Sequence, residues 1–320
     1  MRNKIRLILL AFFLTVLLFL TVKIFHDGKW DGMRRYTIAV NSEPLIVFSI
    51  EPAERRALFL TLPKNTLLDV PYGYNTYPAA SVFSLGELEK RHGGGALLTG
   101  SIENTLGVMV DGFIGKRDSH LLLFAQTHEQ VLKIKSDYFS FVGLLRSFPQ
   151  AIVSGKQAVT NLSFLDMVRL WNAVRSIRSD RIIFFDLEKL GVLIDEKLPD
   201  DSSVKTIDKD RFDALISDNF QDQKVRFENA TIEIVNATGI EKLAFQLGRI
   251  LTSFGANVIV KSTAPTVEKY ACLIYISRSS LKNSIILQRL LSHYPCQISH
   301  DLIDSGQTEI KIILGEGFNK

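Results

Sequence analysis

The longest apolar stretch of the chain lies close to its start. It runs from residue 7 to residue 22 and is interrupted only by Thr15 and Thr21. Apolar flanking residues extend it to about 20 positions, which is the length that an α-helix needs to cross about 30 Å of hydrocarbon. The run is apolar on all sides, unlike a helix that packs one face on a core. The pattern predicts a single transmembrane helix, with residues 1–27 forming a cytoplasmic tail and anchor.

A cleavable signal peptide is the alternative interpretation of this stretch. Such a peptide has a basic start, a shorter apolar core and small residues at the cleavage site. The basic start is present in Arg2, Lys4 and Arg6, but residues 21–25 contain no small-x-small site, which favours a retained anchor. Basic residues also follow the far end of the run, so the excess of positive charge expected on the cytoplasmic side leaves the orientation open.

Short β-branched segments dominate the region that follows. They predict strands at 37–40, 45–50 and 57–62, with a turn at 51–54. Helical periodicity appears at 97–106, 131–148 and 164–177, and a further short strand is expected at 182–185. The three glycines at 93–95 suit either a phosphate-cradling loop or a flexible linker, and the linker is favoured because a helical pattern precedes them. Together these elements indicate a mixed α/β domain over residues 35–198.

The last third of the chain has a clearer order of elements. Residues 199–227 are rich in Asp and Ser at their start and are interpreted as a linker. Strands are predicted at 231–235, 258–260, 272–276 and 310–314, and helices at 243–254 and 279–291. The order β-α-β-β-α-β over residues 228–318 is that of a ferredoxin-like module. The predicted fold class is therefore α/β (α+β), with an N-terminal transmembrane helix, a mixed middle domain and this C-terminal module.

Composition excludes few classes of protein. The chain is 46% hydrophobic and 22% charged with a net charge of +4, as expected of a globular protein with one membrane segment. No cluster of Lys and Arg with interleaved aromatic residues indicates a nucleic-acid partner. Arg175, Arg178 and Arg181 form a basic face that suits anionic polymer or lipid, although a solvated helix face is the favoured interpretation.

The chain has two cysteines, Cys272 and Cys296. A disulfide is allowed if this part of the chain lies outside the cytosol, but spacing alone does not bring the two sulfurs together. Two partly buried free thiols are the favoured expectation. No Cys or His pattern typical of a metal site is present, so no metal or other cofactor is expected from the residues themselves.

Two segments carry a resemblance to a known family. The sequence Ala230-Thr-Ile-Glu-Ile-Val-Asn-Ala-Thr-Gly239 resembles the opening strand and Asn-x-Thr-Gly turn of the LytR C-terminal domain, over residues 228–318. Upstream, Leu60-Thr-Leu-Pro-Lys-Asn-Thr66, the glycines at 93–95 and Ile102-Glu-Asn-Thr-Leu-Gly-Val-Met-Val-Asp111 resemble the LytR-CpsA-Psr domain. Members of that family have an N-terminal anchor and an extracytoplasmic body, and resemble phosphotransferases that move glycopolymer from a polyprenyl-pyrophosphate carrier to the cell wall.

The chain departs from the family where the chemistry is expected. Phosphoryl transfer of this kind needs an Arg fork on the pyrophosphate and a carboxylate that holds Mg²⁺. Lys64 keeps a positive charge without bidentate geometry, and Asn65 offers only a neutral oxygen to a metal. The later Arg-rich block of the family is represented here by Arg117 and a lone Arg146. These four residues are the candidate contacts for phosphate or polymer, and no catalytic residue is assigned.

The favoured expectation is a membrane-anchored cell-envelope protein with a non-catalytic binding or scaffold role in cell-wall glycopolymer assembly. The alternative is a diverged phosphotransferase that moves glycopolymer from polyprenyl-pyrophosphate to the cell wall, and only this alternative calls for Mg²⁺. A regulator that acts through protein contacts is a third, less favoured interpretation. The expected partners are the membrane lipid bilayer and cell-wall glycopolymer or a polyprenyl-phosphate lipid. The resemblance implies a cytoplasmic N-terminus, a single pass and an extracytoplasmic body.

Overall fold

A computed structural model describes residues 28–89, 91–116, 127–140, 142, 158–199, 201–302 and 307–319. The predicted anchor, Arg117 and Arg146 lie outside the described residues. Within the described ranges, none of the helices combines the length and the apolar character that crossing a membrane requires.

A six-stranded sheet forms the centre of the middle domain, in the order β7-β6-β1-β2-β3-β8. Its strands and those of two flanking hairpins are β1 (Tyr36–Val40), β2 (Leu45–Glu51), β3 (Arg56–Leu62), β4 (Leu67–Val70), β5 (Asn75–Pro78), β6 (Gly112–Lys116), β7 (Ala158–Thr160), β8 (Ile182–Asp186), β9 (Leu193–Lys197) and β10 (Ser203–Ile207). The predicted strands at 37–40, 45–50, 57–62 and 182–185 are confirmed. Strand β1 is parallel to β6, β3 is parallel to β8, and β2 is antiparallel to both β1 and β3. The carboxyl ends of β1, β3, β6 and β8 therefore share one edge of the sheet, called here the carboxyl edge.

Helices cover both faces of this sheet. Helices α1 (Ala79–Glu89) and α2 (Gly94–Leu106) pack on one face, and α3 (His128–Tyr138) and α4 (Phe164–Ser176) on the other. Strand β2 is buried along its whole length because Val47 faces the first layer and Ile46 the second. A strand that is covered on both sides has a nearly continuous apolar sequence. Because helices cover both faces of the sheet, the middle domain is an α/β/α sandwich.

The glycines at 93–95 form the start of α2, and the prediction of a flexible linker is wrong. A Cβ at Gly95 would lie 2.0 Å from the ring of Phe113, and a Cβ at Gly94 would lie 2.5 Å from the backbone oxygen of Phe83. The helix can approach α1 and the sheet this closely only without side chains at these positions. The glycines therefore set the distance between layers.

Helix α4 confirms the prediction at 164–177. Ser163 caps its first turn by accepting a hydrogen bond from the Asp166 N–H, and the Asp166 side chain accepts one from the Ser163 N–H. Such a capping box satisfies two donors that a helix start leaves free. Helix α3 begins at His128, three residues before the predicted start, and the later part of the prediction at 131–148 falls largely outside the described residues.

The stretch predicted as a linker contains regular structure. Strand β10 pairs with β9, and two helices follow, α5 (Lys209–Ile216) and α6 (Gln223–Glu228). Phe212 and Phe220 are fully buried in the same core as α1 and α2. The acidic, Ser-rich composition near the start of this stretch led to the linker prediction, although these two aromatic residues anchor it to the core.

The C-terminal module, called here the tail, is a five-stranded sheet with two helices. Its elements are β11 (Thr231–Asn236), α7 (Leu243–Ser253), β12 (Asn257–Thr263), β13 (Cys272–Ile276), α8 (Ile285–His293), β14 (Cys296–Leu302) and β15 (Ile310–Leu314). The sheet order is β12-β11-β15-β13-β14. Strands β11 and β12 are parallel neighbours, as are β13 and β14, so each helix closes an ordinary βαβ unit.

The ferredoxin-like prediction is therefore wrong in topology, although the α/β class holds. In a split βαβ another strand separates the two strands that a helix connects, whereas here they are adjacent. Strand β14 was not predicted, because its Gln297, His300 and Asp301 break the apolar pattern of a buried strand. The extra strand turns the expected four-stranded order into two βαβ units with β15 between them.

Cys272 and Cys296 form a disulfide, and the expectation of free thiols is wrong. The two residues are register partners on β13 and β14, with their Cα atoms 4.3 Å apart. Adjacent parallel strands place such partners within bonding distance, which the 24-residue separation in sequence did not indicate.

Candidate functional site

An apolar cavity of about 150 Å³ lies between the central sheet and helices α3 and α4. The sheet contributes alternate residues of neighbouring strands, because successive side chains of a strand point to opposite faces. Its principal walls are Ile38, Phe48 and Phe59 from the sheet, Ile134 from α3, and Leu170 and Val174 from α4. A cavity with this lining excludes water and suits a hydrocarbon segment.

Among the described residues that line this cavity, Lys135 is the one with a charge. Burial lowers the pKa of its amine, and the amine donates a hydrogen bond to the backbone oxygen of Ile177 at the end of α4. The long aliphatic stem of a lysine packs on apolar surface while its head finds a polar partner. Lys135 therefore closes the cavity wall between α3 and α4.

One end of the cavity reaches the carboxyl edge. Val40 and Ile46 line the cavity and flank the turn between β1 and β2 that carries Glu43. The carboxylate of Glu43 lies 2.8 Å from the amine of Lys64, which follows β3 at the same edge. The hydrogen bond to Glu43 and the charge of that carboxylate raise the pKa of Lys64. The predicted phosphate contact is thus already paired with a carboxylate.

Asn65 has a structural role beside it. Its side-chain amide donates to the backbone oxygen of Ser203 at 3.1 Å, and its own backbone oxygen accepts from the Lys205 N–H. The Thr66 N–H donates to the Pro63 oxygen at 3.1 Å, which closes an ordinary turn. Asn65 therefore ties this turn to β10 and leaves its amide nitrogen engaged.

Of the four candidate residues, the structure places Lys64 and Asn65 together at the carboxyl edge. Strand β6 also ends there at Lys116, whereas Arg117 and Arg146 lie outside the described residues. Open α/β sheets bind ligands at the carboxyl ends of their strands, and this edge is the expected place for a polar headgroup.

Both carboxylates in the described part of the carboxyl edge already have partners. Glu43 is paired with Lys64, and Asp186 at the end of β8 pairs with Lys189 at 3.2 Å and accepts from the Glu188 N–H. Among the described residues, no three His, Cys, Asp or Glu side chains lie close enough to share a metal ion. Mg²⁺ in proteins takes near-octahedral oxygen ligation, usually from one or two carboxylates together with waters and substrate phosphates.

Contacts between the tail and the middle domain were not predicted. Arg249 forms two hydrogen bonds to Asp213 at 2.6 and 2.7 Å and a third to the Thr105 oxygen at 2.9 Å. The His293 ring lies 2.6 Å from Glu103, and Arg289 pairs with Asp111. Of these residues, Glu103, Asp111 and His293 line a polar cleft of about 440 Å³ between the two parts. The pairs join residues far apart in sequence, so no local pattern signals them.

The cavity was not predicted either, although the sequences of the strands that line it contain a relevant pattern. Apolar residues occupy both alternating sets of positions along β1 and β2, which predicts burial on both faces. The sequence does not show that one of these faces is incompletely filled, because that depends on how α3 and α4 approach it.

No protein-family model matches the sequence, and no curated protein matches it either. Solved structures do match the fold. One is a structure of TagT bound to LIIa-WTA, with 12% identity over 59% of this chain and 91% of that chain and a TM-score of 0.39. Another is B. subtilis TagV, with 13% identity over 57% of this chain and 94% of that chain and a TM-score of 0.41. A third is LytR-CPS2A-psr family protein YwtF (TagT) with bound octaprenyl pyrophosphate lipid, with 13% identity over 58% and 90% and a TM-score of 0.37. At this level of identity and superposition the likeness carries no argument about function. The solved structures that this chain resembles thus include a member of the family that its sequence resembles.

Proposed function

We propose that this chain is a membrane-anchored cell-envelope protein that binds the lipid part of a lipid-linked glycopolymer without transferring the polymer. The apolar cavity under α3 and α4 carries this proposal. Its lining suits a hydrocarbon chain, and its end at Val40 and Ile46 lies beside a polar sheet edge where a phosphate headgroup would lie. A ligand with an apolar tail and a charged head matches both the apolar cavity and the polar sheet edge.

The size of the cavity limits what it holds as it stands. An engineered cavity of about 150 Å³ takes up benzene, so a cavity of about 150 Å³ holds one isoprene unit. A longer polyprenyl chain requires α3 and α4 to separate further. Lys135 and Ile177, which connect these helices, are the contact that such a movement would break.

The pairing at the carboxyl edge supports binding over catalysis. Lys64 is matched by Glu43, and the side-chain amide of Asn65 is engaged with Ser203. A phosphotransferase must neutralise charge that develops on the phosphates, and a lysine that shares its charge with a carboxylate does this poorly.

A binding experiment on the purified full chain in detergent tests the proposal. Native mass spectrometry should detect bound octaprenyl pyrophosphate, and Val174→Phe should abolish that binding because the larger side chain fills the cavity. Ile259→Phe is the control, because residue 259 is exposed on β12 of the tail. Equal binding by all three proteins would exclude the cavity as the site. The thermal midpoint of each variant shows whether it still folds.

The phosphotransferase alternative has its own test. It requires Mg²⁺-dependent cleavage of a polyprenyl-pyrophosphate substrate, and Lys64→Ala should then abolish turnover while the thermal midpoint hardly changes. Our proposal predicts no cleavage by the unmodified chain. Robust turnover that depends on Lys64 would overturn it.

A further inference from the structure

Helix α4 has an apolar face whose first residues are exposed in the described part of the chain. Phe164, Met167 and Val168 are 54%, 44% and 44% exposed. They occupy positions i, i+3 and i+4, and Trp171 at i+7 continues the same face, called here the outer face of α4. Leu170 and Val174 on the inner side line the cavity, so α4 presents apolar residues on two of its sides. A helix with this pattern is expected to be buried on both sides.

The first described residues of the chain dock on this helix. The Lys29 and Trp30 N–H groups donate to the carboxylate of Asp166 in the first turn of α4, at 3.1 and 2.9 Å. Gly28 lies against Leu165 so closely that a Cβ there would be 2.8 Å from its Cδ2 atom. The start of α4 is therefore fixed beside the point where the described chain begins.

Few residues separate that point from the apolar run at 7–22. The five residues 23–27 connect Val22 to Gly28, and six chain steps span at most about 20 Å when fully extended. If the run crosses a bilayer, as the proposed function holds, the start of α4 cannot lie farther than this from the end of the membrane-spanning segment.

The remaining chemistry of the outer face suits a lipid headgroup region. The guanidinium of Arg175 lies over the Trp171 ring, 5.4 Å from its centroid. Tryptophan is enriched at membrane interfaces, where its ring is apolar and its N–H reaches water. An arginine beside it can meet anionic lipid. Arg175 is one of the three arginines interpreted above as a solvated helix face.

We propose that the outer face of α4 lies on the lipid bilayer, with Phe164, Met167, Val168 and Trp171 in the interfacial layer. This inference rests on the proposed membrane anchor. Because α4 is also a wall of the cavity, only the thickness of one helix, about 10 Å, then separates the cavity from the membrane. A polyprenyl lipid could pass between α3 and α4 without crossing water.

Site-directed spin labelling of the full chain in nanodiscs of zwitterionic and anionic lipid tests this. Single cysteines replace Leu14 in the anchor, Met167 on the outer face or Phe245, which is 61% exposed on α7. Labelling without reductant keeps Cys272 and Cys296 paired. We expect the label at 167 to be accessible to oxygen and protected from a water-soluble nickel complex, like the label at 14. The label at 245 should be accessible to the nickel complex.

The outcomes separate the inference from the anchor on which it rests. A label at 167 that is as nickel-accessible as the one at 245, with the label at 14 buried in lipid, overturns the inference and leaves the anchor intact. A nickel-accessible label at 14 removes the anchor itself. Protection of position 167 from both reagents indicates a protein partner or a second copy on this face, which also overturns the inference.

A charge variant provides an independent check. Val168→Glu places a carboxylate on an exposed position, so the fold should be kept, but the charge should lift the outer face from anionic lipid. A label at Phe164 should then lose its protection from nickel. Thr252→Glu in α7 is the matched control, since residue 252 is exposed on a helix of the tail. Unchanged protection in Val168→Glu contradicts the inference.

Discussion

Arg289 of the tail pairs with Asp111 of the middle domain, and both side chains are buried, with 7% and 5% of their surface exposed. The Arg289 guanidinium also lies over the Phe254 ring, 4.9 Å from its centroid, and the Asp111 carboxylate accepts a hydrogen bond from the Thr37 N–H at the start of β1. One ion pair thus connects the second helix of the tail to the central sheet.

Arg289→Met should destabilise the protein by about 3–5 kcal/mol, because it leaves the buried Asp111 carboxylate without its counter-charge. Urea unfolding of the full chain, followed by tryptophan fluorescence, measures this. Arg278→Met is the matched control, since Arg278 pairs with Glu309 while 61% exposed, and a surface pair contributes at most about 1 kcal/mol.

Combining Arg289→Met with Asp111→Asn should recover part of the loss, because the double variant no longer buries an unpaired charge. Equal losses in the single and double variants would show that Arg289 stabilises the tail through packing on Phe254 and not through Asp111.

The His293–Glu103 contact should make stability depend on pH. Burial lowers the pKa of His293, but the charge of Glu103 and the hydrogen bond to it outweigh burial, with a smaller contribution from Asp111 opposed by Arg289, so the pKa is raised above 6.5. A raised folded-state pKa gives stabilisation that is complete below about 6.5 and is lost as the pH rises through the folded-state value.

His293→Gln should remove this pH dependence. Thermal midpoints measured across that window should fall with rising pH in the unmodified chain and change less in the variant. His300→Gln, at an exposed position on β14, should leave the profile unchanged. A profile that is identical in the unmodified chain and in His293→Gln would contradict the assignment.

Replacing both Cys272 and Cys296 by Ala should destabilise the tail by about 3–4 kcal/mol, the entropy that a cross-link of this span removes from the unfolded chain. The sequence separation is 24 residues. Urea unfolding of the double variant should match that of the unmodified chain treated with reductant. A reductant effect that persists in the double variant would point to a cause other than this bond.

Gly95→Ala should lower stability although alanine favours a helix. The gain in helix propensity is about 1 kcal/mol, whereas the new Cβ would lie 2.0 Å from the Phe113 ring, and overpacking of this kind costs about 1–3 kcal/mol or more. Gly248→Ala in α7 is the control, because the close contacts of its Cβ would be with the flexible side chain of Lys261, and Ile234 would lie at an ordinary 3.6 Å.

Adding Phe113→Leu to Gly95→Ala should recover part of the loss, since the smaller side chain vacates the position of the ring. The measurement is again the free energy of unfolding in urea. A Gly95→Ala variant as stable as the unmodified chain would mean that α2 and β6 can separate without cost.

Local patterns predicted much of the fold because local chemistry determines it. The β-branched, apolar segments at 37–40 and 45–50 form strands as expected, and the helical periodicity at 164–177 corresponds to α4. The order of strands in the tail was not accessible in this way, because neighbours such as β11 and β15 are joined by hydrogen bonds between residues far apart in the chain.

The site was less predictable than the fold. Lys64 was identified by its charge after a strand, but its pairing with Glu43 depends on the antiparallel β1–β2 connection and cannot be seen from either residue alone. The cavity is a gap between side chains of the sheet and two helices. No single residue in the sequence signals such a gap, so the cavity can be recognised only when the packing of the side chains is known.

The position of β15 has a consequence for the order in which the protein is made. The last strand of the chain lies at the centre of the tail sheet, hydrogen-bonded to β11 on one side and to β13 on the other. The ribosome synthesises β15 after both βαβ units. The strands at the inner edges of these units, β11 and β13, therefore stay unpaired until β15 has been made. The middle domain has no such dependence on β15, and it can complete its core while the tail is still being synthesised.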